Sequence, residues 1–133
     1  MARKKKSGQL TPLELELMKV LWRIGPATVQ GVQDELDLEP PLAYTTIQTM
    51  LNVLHTKGRL KRSLKERAYR YRAAVSREQI ISSTMKDIID RMFGGSAESL
   101  VMSLVQTQHL TPEKLERLKR RLEQQTEEDH GND

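Results

Sequence analysis

The chain has 133 residues and a formal net charge of +4, from 22 Lys plus Arg against 18 Asp plus Glu. That is the length of one domain or of a small domain with an appendage, and with only Trp22, Tyr44, Tyr69, Tyr71 and Phe93 aromatic the core falls to Leu, Ile, Val and Met. No apolar run approaches the roughly 20 residues that span a bilayer, and the basic start lacks the apolar stretch of a signal peptide. The lack of Cys excludes disulfides, thiolate metal sites and cysteine nucleophiles, so the expectation is a soluble, cytoplasmic protein.

Residues 1–8 form a basic tail (Arg3, Lys4, Lys5, Lys6) expected to be disordered. Thr11-Pro12-Leu13-Glu14 predicts a helix start, since Thr11 can cap, Pro12 suits the first turn and Glu14 occupies the reciprocal capping-box position. Leu13, Leu17, Val20, Leu21 and Ile24 make its apolar stripe, and Gly25-Pro26 ends it. After the β-branched Ala27-Thr28-Val29, a second helix runs through Gln30 to Glu35, with Val29, Val32 and Leu36 at helical spacing. Pro40-Pro41 breaks the chain, and a third stripe of Ile47, Met50, Leu51 and Leu54 ends at Lys57-Gly58.

Beyond Gly58 the period becomes extended. Leu60 to Leu64 and Ala68 to Ala73 predict two strands, with Tyr69, Tyr71 and Ala73 on one face and Ala68, Arg70 and Arg72 on the other. Lys65-Glu66-Arg67 between them lacks the Gly or Asn of a tight hairpin, so the register is open. Ser76-Arg77-Glu78-Gln79 is a second capping box, opening a helix with Ile80, Ile81, Thr84, Met85, Ile88, Ile89, Met92 and Phe93 on one wide face, and Gly94-Gly95 closes it. A helix from about Ala97 to Val105 follows, and Thr111-Pro112-Glu113 starts the last, with Leu115, Leu118 and Leu122. The expected organisation is therefore a basic tail at 1–8, a domain of three helices and a ribbon at 9–75, a helical region at 76–126 and a disordered acidic tail at 127–133, with charge and apolar excess assigning the second to DNA binding and the third to dimerisation. The fold class is mainly α with a small β-ribbon.

Charge is uneven along this plan. Residues 1–75 sum to +7 and residues 76–133 to −3, which points the first part at a polyanion. With the core taking one face of the third helix, Thr45, Thr46, Gln48, Thr49, Asn52 and Lys57 face outward. Neutral Thr and Gln suit hydrogen bonds to base edges in a major groove about 12 Å wide, where an ordinary solvated face would carry Lys and Glu. Eight of the sixteen residues from Lys57 to Arg72 are basic (Lys57, Arg59, Lys61, Arg62, Lys65, Arg67, Arg70, Arg72) and only Glu66 is acidic. Such a ribbon fits phosphate contact with salt-sensitive affinity; it lacks the apolar wedge of a membrane-surface helix.

The apolar excess of residues 80–122 asks for a second surface. Because residues 76–126 are too short to enclose these faces alone, a two-fold symmetric homodimer is expected, with Ile81, Met85, Ile88, Ile89, Met92, Leu100, Leu104, Leu115, Leu118 and Leu122 at its interface. Packing onto the N-terminal domain is the alternative. No Gly-rich phosphate loop, nucleophile elbow or acid–base pair is present, and His55, His109 and His130 lack metal-ligand spacing, so neither enzyme, cofactor nor metal is expected. The residues alone leave three functions open: a dimeric protein reading DNA, a protein-interaction module docking an acidic partner, and a regulator responding to a small molecule.

Leu10 to Trp22 (LTPLELELMKVLW), Ala43 to Arg62 (AYTTIQTMLNVLHTKGRLKR), Tyr69-Arg70-Tyr71 and Phe93 to Leu104 (FGGSAESLVMSL) together resemble the penicillinase and methicillin-resistance repressors of the BlaI/MecI type. The resemblance implies a winged helix-turn-helix repressor that binds a palindromic operator as a dimer. The helix matching Ala43 to Lys57, with Tyr44 at its start, would enter the major groove, and the ribbon matching Arg59 to Arg72 would be the wing. It also implies relief of repression through a membrane sensor with a zinc protease domain, by cleavage at an Asn-Phe bond; the matching bond here is Ser103-Leu104, which departs from that pattern. Ala43 and Tyr44 replace the polar start of the staphylococcal members. A copper-responsive branch carries Cys-x-Cys pairs, a mechanism this Cys-free chain does not share.

Overall fold

The computed structural model describes the backbone of residues 9–131 and the side chains up to residue 127; the basic tail at 1–8, the His130 side chain and residues 132–133 lie outside the described residues. The elements are α1 (Pro12–Ile24), α2 (Val29–Glu35), α3 (Tyr44–Thr56), β1 (Leu60–Lys65), β2 (Ala68–Ala73), α4 (Arg77–Met92), α5 (Ala97–Gln106) and α6 (Pro112–Gly131). The chain divides into two compact units, Met1–Lys86 and Asp87–Asp133, and the division falls inside α4 rather than at residue 75. The first turns of α4 go with the first unit: Ile80 is buried, and Trp22 Nε1 donates to the carbonyl of Val75 at 2.9 Å.

Local chemistry sets the helix ends. Thr11 Oγ1 accepts from the amide of Glu14 at 3.1 Å while Glu14 Oε1 accepts from the amide of Thr11 at 2.9 Å, closing the capping box that starts α1. Ser76 and Gln79 form the same reciprocal pair before α4, at 3.0 and 2.8 Å. Gly25, at φ 82°, ends α1 in a conformation that L side chains resist. The helix α6 continues to Gly131, so residues 127–131 are helical where an unpatterned tail was expected.

In the first unit Leu17, Met18, Val20, Leu21, Ala27, Val29, Val32, Ile47, Leu51, Leu54, Leu60 and Tyr71 form one buried cluster. Full burial of such side chains contributes about 1.5–3 kcal/mol each, which is what holds three short helices and a ribbon together. The α1 stripe is rotated from its expected position: Met18 is fully buried, whereas Leu13 and Ile24 are 41% and 38% exposed. Glu14 is buried in place of Leu13, because its carboxylate is used in the cap and in an ion pair.

β1 and β2 are antiparallel, with Leu60 opposite Ala73, Arg62 opposite Tyr71 and Lys65 opposite Ala68. The turn is therefore two residues long, and Glu66 (φ 53°) and Arg67 (φ 68°) both adopt left-handed conformations without Gly or Asn. Ala27 adds a bridge on the far side of β2: its amide donates to the Tyr71 carbonyl at 3.0 Å and its carbonyl accepts from the Tyr71 amide at 2.8 Å. A winged helix-turn-helix results, with three helices, a two-stranded ribbon and the short Ala27 bridge.

The second unit consists of the end of α4 with α5 and α6. None of its described side chains from Asp87 to Glu127 is buried, and Met92 and Leu122 stand 75% and 62% exposed. No helix among the described residues is long and apolar enough to cross a membrane.

Candidate nucleic-acid interface

The α3 helix turns Ile47, Leu51 and Leu54 into the core, which leaves Tyr44, Thr45, Thr46, Gln48 and Thr49 exposed along its N-terminal half. Met50, expected in the core, is only half-buried. Ala43 precedes the helix and offers no side-chain cap, so the first-turn amides keep their partial positive charge uncovered.

The ribbon has two unlike faces. Residues directly opposite each other share a face, so Lys61 and Arg72, Ser63 and Arg70, and Lys65 and Ala68 lie on one side, and Arg62, Tyr71, Leu64 and Tyr69 on the other. The first face is the cationic one. None of Arg59, Lys61, Lys65, Arg67, Arg70 and Arg72 forms an ion pair among the described residues. The Nε atoms of Arg59 and Arg70 are shielded and meet no acceptor among the described residues. Lys61 and Arg72 are directly opposite, an arrangement that costs stability unless an anion lies over it.

Three residues expected to meet DNA are engaged within the protein. Asn52 is half-buried, and its Oδ1 accepts from Tyr71 Oη at 2.6 Å and from Arg62 Nη1 at 2.9 Å. Arg62 lies on the inward ribbon face, its guanidinium 4.2 Å above the centre of the Tyr69 ring. Lys57 places Nζ 3.0 Å from Glu14 Oε2. Burial of Glu14 alone would raise its pKa, but the hydrogen bonds from Thr11 and Lys57, with the charge of Lys57, outweigh it and hold the carboxyl below its ordinary value.

The structure thus gathers Tyr44, Thr45, Thr46, Gln48 and Thr49 on one helix and Arg59, Lys61, Lys65, Arg67, Arg70 and Arg72 on the adjoining ribbon. Tyr71 was absent from the expected set, although its alternation with Arg70 and Arg72 already placed it on the face opposite to them. Among the described residues there is no group of His, Asp and Glu that would hold a metal ion. Of the residues expected at the dimer interface, Ile81, Met85, Met92, Leu104, Leu115, Leu118 and Leu122 are exposed and Ile88, Ile89 and Leu100 half-buried. Ser103 and Leu104 lie inside α5, where the Ser103 carbonyl accepts from the Thr107 amide at 2.9 Å and from its hydroxyl at 2.7 Å.

A family model described as penicillinase repressor matches residues 10–124. The transcriptional regulator BlaI of Mycobacterium tuberculosis is 30% identical over 129 residues, covering 96% of this chain and 91% of its own. The methicillin resistance regulatory protein MecI of Staphylococcus aureus is 25% identical over 114 residues, 86% of this chain and 93% of that one. Among solved structures, the DNA-binding domain of the repressor BlaI matches at 33% identity and a TM-score of 0.49, over 57% of this chain and 93% of that chain.

Proposed function

The chain belongs to the penicillinase repressor family, and from that membership we propose that it is a transcriptional repressor that binds a palindromic DNA operator as a homodimer. The observation that carries this reading is the neutral, exposed Thr45-Thr46-Gln48-Thr49 face of α3 beside a ribbon whose outward cations have no partner ion among the described residues. Gln48 and the threonines would meet base edges and thymine methyls in the major groove, worth about 1–3 kcal/mol of discrimination per well-formed contact. Lys61, Lys65, Arg70 and Arg72 would grip phosphates and supply salt-dependent affinity with little sequence information.

The homodimer is supported by the second unit. A unit with no buried side chain among its described residues lacks the apolar burial that holds a fold together. A second copy placed over Met92, Leu104, Leu115, Leu118 and Leu122 supplies that burial, and two-fold symmetry then sets two α3 helices on two half-sites. Repression follows from occupancy of the operator. Release by cleavage at Ser103-Leu104 would require α5 to unwind there, because the bond sits in a hydrogen-bonded helical turn.

The test is a selection of bound fragments from random-sequence DNA, followed by titration of the best fragment with Thr46→Ala and Arg70→Ala proteins. Thr46→Ala should reduce preference at one base position; Arg70→Ala should weaken all sequences alike and lower the salt slope by about one. Absence of any enriched sequence would favour the acidic-partner reading and overturn this one.

A further inference from the structure

Asn52 stands one turn beyond Gln48 and Thr49 on the same side of α3, yet its side chain is turned to the ribbon. Arg62 has only donors, so the atom it meets on Asn52 is the carbonyl oxygen, and the Tyr71 hydroxyl must then donate to that oxygen as well. Both lone pairs of Oδ1 are used by two strands at once: Arg62 comes from β1 and Tyr71, directly opposite, from β2. The two partners are themselves held. Tyr71 is 2% exposed and bonded through its backbone to Ala27, and Arg62 is stacked on Tyr69.

We propose that Asn52 is a positioning residue that fixes the pitch of the ribbon against the reading face of α3, so that phosphate and base contacts form together. This rests on the DNA-binding reading above. A two-stranded ribbon closed by a two-residue turn is only marginally stable alone, and a ribbon free to swing must be ordered at the moment of binding, which subtracts from affinity. Clamping both strands to one oxygen of α3 removes that cost beforehand. The clamp acts on the grip of the phosphates and leaves the choice of bases to Thr45, Thr46, Gln48 and Thr49.

The experiment uses the full chain and the fragment enriched from random-sequence DNA. Affinity is measured across salt concentrations and against single-base variants of the fragment, for Tyr71→Phe, Asn52→Ala and the double variant, with thermal unfolding and ribbon amide exchange of the free proteins. Tyr71→Phe keeps the buried ring and removes only the hydroxyl, so it guards against loss of fold. Each single variant should weaken binding about tenfold, flatten the salt slope by about one contact, and speed exchange of the β1 and β2 amides while the order of preference among base variants stays the same. The double variant should be no weaker than the worse single one. An unchanged salt slope with an altered base preference would make Asn52 a base reader through Nδ2, and unchanged ribbon exchange would show that the clamp holds nothing; either overturns the proposal. If the unmodified protein enriches no sequence at all, the DNA-binding reading has failed, an outcome distinct from variants that match the parent.

Discussion

Lys57, just past the end of α3, reaches across 43 residues of sequence to place Nζ 3.0 Å from Oε2 of Glu14 in the first turn of α1. The same carboxylate accepts from the Thr11 amide through its other oxygen. One buried group therefore starts α1 and ties it to the helix that carries the proposed reading face. Because its pKa is depressed in the folded state, its ionised form is favoured there. The stability it contributes is complete above the unfolded Glu value of about 4.3, and it is lost as pH falls through the lower folded value.

Glu14→Gln should therefore be less stable than the parent at neutral pH by about 1–2 kcal/mol. The two proteins should converge as pH falls through the lowered folded value of Glu14, where the parent carboxyl takes up its proton as well. Thermal unfolding followed by the fluorescence of Trp22 between pH 3 and 8 checks this. A difference that stays constant across that range would mean the carboxylate charge plays no part.

The ribbon turn yields a prediction of opposite sign. Glu66 and Arg67 both sit at positive φ, which costs an L residue about 1–2 kcal/mol apiece and Gly nothing. Glu66→Asn with Arg67→Gly should raise stability by about 1–2 kcal/mol in urea unfolding. A stabilisation of this kind should also slow ribbon amide exchange in the free protein, the reverse of what Asn52→Ala should do.

These two cases mark where the sequence was legible. The starts of α1 and α4 are written in four-residue boxes, Thr11 to Glu14 and Ser76 to Gln79, whose chemistry is local and whose geometry the structure reproduces. The turn at Glu66-Arg67 was not legible, because the residues that usually mark it are absent and the strand register, set by the inward Leu60 and Tyr71, forces the conformation. The engagement of Asn52, Arg62 and Lys57 was hidden for a different reason. Each depends on a partner between 10 and 43 residues away, which periodicity along one helix does not reveal. The exchange of Leu13 for Met18 in the α1 core shows the coarseness of a stripe read at 3.6 residues per turn: Leu13 sits at the edge of the buried arc, where the cap draws Glu14 inward instead.

Apolar exposure in the second unit leads to a prediction about assembly. Leu115, Leu118 and Leu122 recur at i, i+3 and i+7 on α6 and remain 40%, 40% and 62% exposed, the spacing of a helix seam that meets another helix. Leu118→Glu should shift the protein from the proposed dimer to monomer in sedimentation at micromolar concentration. Its first unit should stay folded, as judged by Trp22 emission. Binding to a two-half-site fragment should weaken by well over tenfold, whereas binding to a single half-site should change little. A variant that remains dimeric would place the contact between copies elsewhere.

The pair Lys61 and Arg72 sets stability of the free protein against its proposed grip on phosphates. The two cations are directly opposite on the outward face, an arrangement that costs roughly 0.2–1 kcal/mol between adjacent strands and more at low ionic strength. Arg72→Thr removes the repulsion and places a good strand former on the ribbon. It should raise the urea midpoint of the free protein in low salt, with the gain fading toward 1 M salt as the charges are screened. The same change deletes one proposed phosphate contact, so affinity for the selected fragment should fall and the salt slope should drop by about one, without altering which bases are preferred. Paired urea and binding titrations at two salt concentrations check both halves. If Arg72→Thr stabilises the protein yet binds DNA with an unchanged slope, the outward ribbon face is not where the phosphates lie, and the inward face with Leu64 and Tyr69 becomes the surface to test.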